Sequence, residues 1–115
     1  MLNGMKTLAL FVLSAALAMA ADISGKWTFN VVLDAGSGSP TFDFKQAGEK
    51  ITGTYHGQLG DAPLEGTVKG NDVEFTVNGG QLQAKYSGKL DGGAKIKGTV
   101  DYGEMGKGTF DGSKN

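Results

Sequence analysis

From Ile51 onward the chain alternates apolar and polar residues with a period of two, and that alternation dictates β-strands with one buried face and one wet face. One set reads Ile51, Gly53, Tyr55; Leu64, Gly66, Val68; Val73, Phe75, Val77; Leu82, Ala84, Tyr86, Gly88, Leu90; Ile96, Gly98, Val100. The residues between them, among them Thr52, Thr54, His56, Glu65, Thr67, Lys85 and Lys97, are polar. Ala47-Gly48, Gly70-Asn71, Asn78-Gly79-Gly80 and Asp91-Gly92-Gly93 separate the runs and are short enough to close antiparallel hairpins. The pattern predicts eight strands, at residues 23–33, 41–46, 50–56, 63–69, 72–78, 81–90, 94–101 and 106–112. Eight hairpin-linked strands with one apolar face are best served by closing into an antiparallel up-and-down barrel, which removes both exposed edges. A two-sheet sandwich is the alternative for this all-β chain.

A unit of the form apolar-x-Gly-Thr-apolar recurs at residues 51–55, 64–68 and 96–100, with a partial copy at Gly108-Thr109-Phe110. Its glycine falls on the buried face each time. Glycine weakens a strand interior, so its repetition implies that the backbone coils sharply to close a narrow barrel, or that room is left for a guest. Coiling is the ordinary use and is the expectation here.

The N-terminus carries Lys6, an apolar run over residues 8–17 broken by Ser14, and then Ala18-Met19-Ala20 ahead of polar Asp22. This is the pattern of a secretory signal peptide, with cleavage expected after Ala20 and Met5 as a plausible initiator. The run is too short to span a bilayer, which needs about 20 residues. Residues 1–20 are thus read as leader and 21–115 as a single barrel domain, secreted or periplasmic. The chain has no cysteine, so packing alone must hold the fold. Ten mature lysines against twelve carboxylates leave a net charge of −2, which argues against nucleic acid as a partner. Arginine is absent, and with it the bidentate fork favoured for phosphate and carboxylate ligands.

In an up-and-down barrel alternate connections share an end. The connections at residues 47–48, 70–71 and 91–93 are tight, whereas those at 34–39, 57–62 and 102–105 are longer and polar. Longer loops therefore gather at one mouth, where Asp34, Ser37, Ser39, Asp61 and Asn78 are expected to offer hydrogen bonds. Phe42, Tyr55, Tyr86 and Tyr102 are expected to supply contact area for a ligand.

Catalytic chemistry is scarce. The one histidine, His56, alternates with Thr52 and Thr54 on the polar face and points to water, away from any sheltered site a general base would need. One histidine without cysteine makes zinc an unsuitable guest, and no loop has the spaced carboxylates of a calcium motif. No metal or cofactor is expected, nor an enzyme. An outer-membrane barrel needs strands of about 9–11 residues, longer than several of those predicted.

Ile23-Ser24-Gly25-Lys26-Trp27, Ile51-Thr52-Gly53-Thr54-Tyr55, Pro63-Leu64-Glu65-Gly66-Thr67 and Phe75-Thr76-Val77-Asn78 resemble, in order, the first strands of the avidin and streptavidin barrels. The resemblance covers about two-thirds of the mature chain. It implies a calycin/avidin-like barrel with Trp27 plugging the interior, Tyr55 matching a ligand-contacting tyrosine and Tyr86 an aromatic wall residue. Biotin itself is not expected, because Trp27 is the single tryptophan where that pocket is boxed by several, Gly79 standing where the family has one of them, and Phe29 replaces a polar ligand contact. The chain also resembles short exported bacterial proteins with an Ile-Ser-Gly-Lys-Trp start and Gly-Thr strands. The sequence thus points to a monomeric, noncatalytic binding module for a small neutral or apolar molecule. The alternative is a structural or protein-interaction barrel with a filled core and an envelope protein as partner.

Overall fold

The computed structural model describes residues 22–58, 60–79 and 82–115; the leader expected at 1–20 lies outside them, as does the side chain of Leu82. The fold is all-β: β1 (Gly25–Leu33), β2 (Gly36–Gly38), β3 (Thr41–Ala47), β4 (Lys50–Gly57), β5 (Gly60–Lys69), β6 (Asp72–Gly79), β7 (Leu82–Leu90), β8 (Lys95–Asp101) and β9 (Lys107–Lys114), with a 3-10 turn at Gly103–Met105 before β9. From β3 on, each strand pairs antiparallel with the next. The ladder from Trp27↔Lys114 to Leu33↔Gly108 then joins β1 to β9 and closes the sheet. It is one closed barrel, not a two-sheet sandwich.

Among the described residues nine strands stand where eight were expected, because Gly36–Gly38, within the expected loop at 34–39, pair with β1. Val31↔Gly38 and Thr28↔Thr41 share one register, so β2 and β3 are two parts of one course along β1, broken at Ser39 and Pro40. The Phe29 amide donates to the Pro40 carbonyl at 3.0 Å, but proline has no N–H to return the bond. Likewise Gly57↔Gly60 extends the β4–β5 hairpin, and the expected loop at 57–62 shrinks to a tight turn. Glycine beside polar residues reads as loop in both places, yet the ladder takes up the backbone groups of Gly36–Gly38 and of Gly57 and Gly60.

The alternation places Trp27, Phe29, Phe42, Phe44, Phe75, Tyr86 and Phe110 inside. Phe29 sits at the centre, its ring stacked on Phe110 at 4.9 Å between centroids and within 6.5 Å of Trp27, Phe42, Phe44, Phe75 and Tyr86. At the base, the Trp27 indole N–H donates to the Ile23 carbonyl at 2.8 Å, which seals that end as a plug. The inward glycines are sites of close approach. A Cβ on Gly53 would overlap the Asp43 carbonyl oxygen, and one on Gly98 the Ser87 carbonyl oxygen. Their space belongs to the neighbouring strand, which is the coiling use of glycine.

Candidate functional site

The turns after β3, β5 and β7 close the base, and those after β1, β4 and β8 surround the opposite end. At this mouth β2 runs past the end of β4. It has β1 as a neighbour on one side and no strand on the other among the described residues, so the wall is notched there. The notch and mouth form an open cavity of about 970 Å³, lined by the upper part of β1, β2 with Ser39 and Pro40, Tyr55, Gly57, Gln58, Tyr102 and Met105. None of its lining side chains is charged.

Three tyrosines make the boundary between cavity and core. Tyr86 is fully buried, Tyr55 is 3% exposed and Tyr102 is 7% exposed. The Tyr86 and Tyr102 hydroxyls share a short hydrogen bond, and Tyr55 hydrogen-bonds Tyr102. Burial pushes the Tyr102 hydroxyl up to about 12. Burial, reinforced by Tyr102, drives Tyr86 well above the ordinary phenol range. The Tyr86 and Tyr102 hydroxyls therefore remain protonated at neutral pH, able to donate as well as accept.

Of the residues singled out from the sequence, Ser37, Ser39, Tyr55 and Tyr102 line the cavity. Phe42 and Tyr86 do not: both lie sealed in the aromatic core beneath it, and Tyr86 reaches the mouth through its bond to Tyr102. Asp34 is exposed at the tip of the β1–β2 hairpin, where its carboxylate lies against Gly106. Asp61 and Asn78 are exposed and stand outside the lining. The sequence reading missed Leu33, Pro40 and Met105. Met105, 42% exposed, carried a usable signal as an apolar residue in a glycine-rich polar connection.

His56 points outward, as its place in the alternation requires. Its Nδ1 lies 3.0 Å from Asp61 Oδ1 and its Nε2 3.1 Å from Asp43 Oδ2. These bonds, Asp61 first and Asp43 second, raise the imidazole above its usual range. The histidine is thus engaged on the barrel exterior and is not among the cavity-lining residues. Among the described residues no group of three or more His, Asp or Glu side chains is arranged to hold a metal ion.

No protein-family model matches the chain, and no curated protein matches it. Solved structures do. A designed fluorescence-activating β-barrel superposes with a TM-score of 0.63 at 12% identity, covering 87% of this chain and 97% of its own. A related barrel, mFAP2b, solved bound to DFHBI, gives 0.60 at 14% identity, covering 81% and 93%. A fatty acid binding protein of Schistosoma mansoni, in complex with arachidonic acid, gives 0.50 at 12% identity, covering 87% and 98%. The class this fold defines is the small, closed, calycin-like antiparallel barrel. At these identities the likeness is one of fold.

Proposed function

We propose that this protein is an exported, monomeric, noncatalytic binding module that takes a small, apolar-bodied molecule at its mouth. The observation that carries the reading is the open cavity of about 970 Å³, uncharged in its lining and backed by the hydroxyls of Tyr55 and Tyr102. Such a combination, an apolar surface with a few convergent hydrogen-bonding groups on a rigid scaffold, is what small-molecule sites share. The binding of DFHBI and arachidonic acid by barrels of similar fold supports it by analogy.

Native mass spectrometry of the protein isolated from its own exported compartment tests the reading. The polypeptide is expected to begin at Ala21 and to carry a reproducible additional mass, reduced in a Tyr55→Ala/Tyr102→Ala variant that remains folded. A bare monomer at the polypeptide mass refutes the carrier reading. That outcome transfers the protein to the structural or protein-interaction class, which the aromatic filling of the interior favours.

A further inference from the structure

We infer that the mouth selects its ligand by charge, taking small organic cations ahead of neutral analogues and rejecting carboxylates and phosphates, because carboxylates outnumber lysines around its uncharged, tyrosine-backed cavity while lysines outnumber carboxylates at the base. The inference rests on the mouth being the binding site and adds the chemical class of its occupant.

Within three residues of a strand end, the base carries eight of the ten mature lysines and six carboxylates, whereas the mouth carries Lys85 and Lys107 against five carboxylates, Asp34, Asp43, Asp61, Asp101 and Glu104. Carboxylates thus outnumber lysines at the mouth by five to two, and the base has the opposite surplus. Asp34, Asp101 and Glu104 are the chain neighbours of the lining residues Ala35, Tyr102 and Met105. Asp101 accepts the Gly103 amide at 2.8 Å, which holds it on the rim, and its register partners are Lys85 on β7 and Lys107 on β9. On the outer wall Asp43 and Asp61 flank His56, a group that stays net negative even with the imidazole protonated.

Distance keeps the two ends electrically separate. A strand of eight residues spans about 25 Å, several Debye lengths at physiological salt, so the base lysines do not neutralise the mouth. An anion entering the cavity meets no basic side chain in its lining and a surplus of carboxylates around it. A cation meets those carboxylates together with the rings of Tyr55 and Tyr102, whose faces attract positive charge. The core below is filled by Phe29, Phe42 and Tyr86, all fully buried, so a long acyl chain has no channel through the barrel axis. The occupant is therefore compact: an ammonium or similar cation on a flat or short apolar body.

A matched naphthalene series tests this: naphthylmethylammonium, naphthylmethanol and naphthoate, titrated by calorimetry against the mature protein with amide chemical shifts locating the site. At low salt, about 20 mM, the ammonium is expected to bind roughly tenfold more tightly than the naphthoate, with the alcohol between. The gap is expected to narrow at about 300 mM salt. It is also expected to shrink in Asp34→Asn/Glu104→Gln and to persist in the base control Asp91→Asn. Equal affinities across the series, or a preference for naphthoate, overturn the charge selection while leaving the mouth as the site. If no member shifts the amides of β2 or Gln58, the binding function itself falls and the inference with it.

Discussion

Replacing Gly98 by alanine separates a barrel that needs glycine for closure from one that keeps glycine to make room. Gly98 on β8 faces Gly88 on β7 across the ladder. A Cβ at Gly98 would overlap the Ser87 carbonyl oxygen and stand 2.8 Å from the Ser87 carbonyl carbon, all of it backbone that no rotamer change can clear. Relief requires the two strands to part by about an ångström, enough to weaken the two nearest ladder hydrogen bonds. At about 1 kcal/mol net for each bond, with about 1–2 kcal/mol of residual strain, the expected cost is about 3–4 kcal/mol. For a domain of this size that lowers the thermal midpoint by roughly 12–25 °C. The control is Gly93→Ala in the β7–β8 connection, where a Cβ meets nothing within 4 Å. That change is expected to lie within about 0.5 kcal/mol of the parent. Urea and thermal melts of the three proteins decide the matter. A Gly98→Ala protein as stable as Gly93→Ala refutes the closure argument and returns the interior glycines to the role of leaving room for a guest.

Two further outcomes are expected. Tyr102→Phe removes the hydroxyl bonded to that of Tyr86 and leaves a polar atom in the sealed core, so urea unfolding should show a loss of about 1–2 kcal/mol; an unchanged stability would mean that Tyr86 finds its partner elsewhere. His56 has its folded-state pKa raised by Asp61 and Asp43, so its bonds stabilise the fold fully below the unfolded value of 6.5 and are lost as pH rises through the folded value. The thermal midpoint should therefore be higher at about pH 5.5 than at about pH 8, and His56→Gln should abolish the difference; a variant that keeps it places the titration elsewhere.

The local rules of the chain settled a good deal. Period-two alternation is enough to place Tyr55, Val68, Phe75, Ala84, Tyr86, Ile96 and Val100 inside and His56 outside, since a strand can send successive side chains only to opposite faces. The hairpin turns at residues 70–71 and 91–93 were legible for a similar reason, because asparagine, aspartate and glycine adopt tight-turn backbone at low cost. Composition likewise fixed the charge inventory and the absence of arginine and cysteine.

What tertiary structure decided was where strands continue and which side chains meet. Residues 34–39 carry the composition of a loop, yet Gly36–Gly38 among them are strand because β1 extends far enough to offer them a ladder, with Ser39 and Pro40 marking the break. The same residues then leave the notch that makes the cavity, since β4 ends at Gly57 and cannot follow them. Phe42 reads as a mouth residue from its place near a strand end, and Tyr86 as a wall residue from the avidin resemblance, but strand tilt in a closed barrel carries both beneath the Tyr55 and Tyr102 hydroxyls into the core. Alternation assigns a side chain to a face. Its height along the barrel axis, and so its membership of the site or of the core, depends on the register of nine strands at once and is set only when β9 closes on β1.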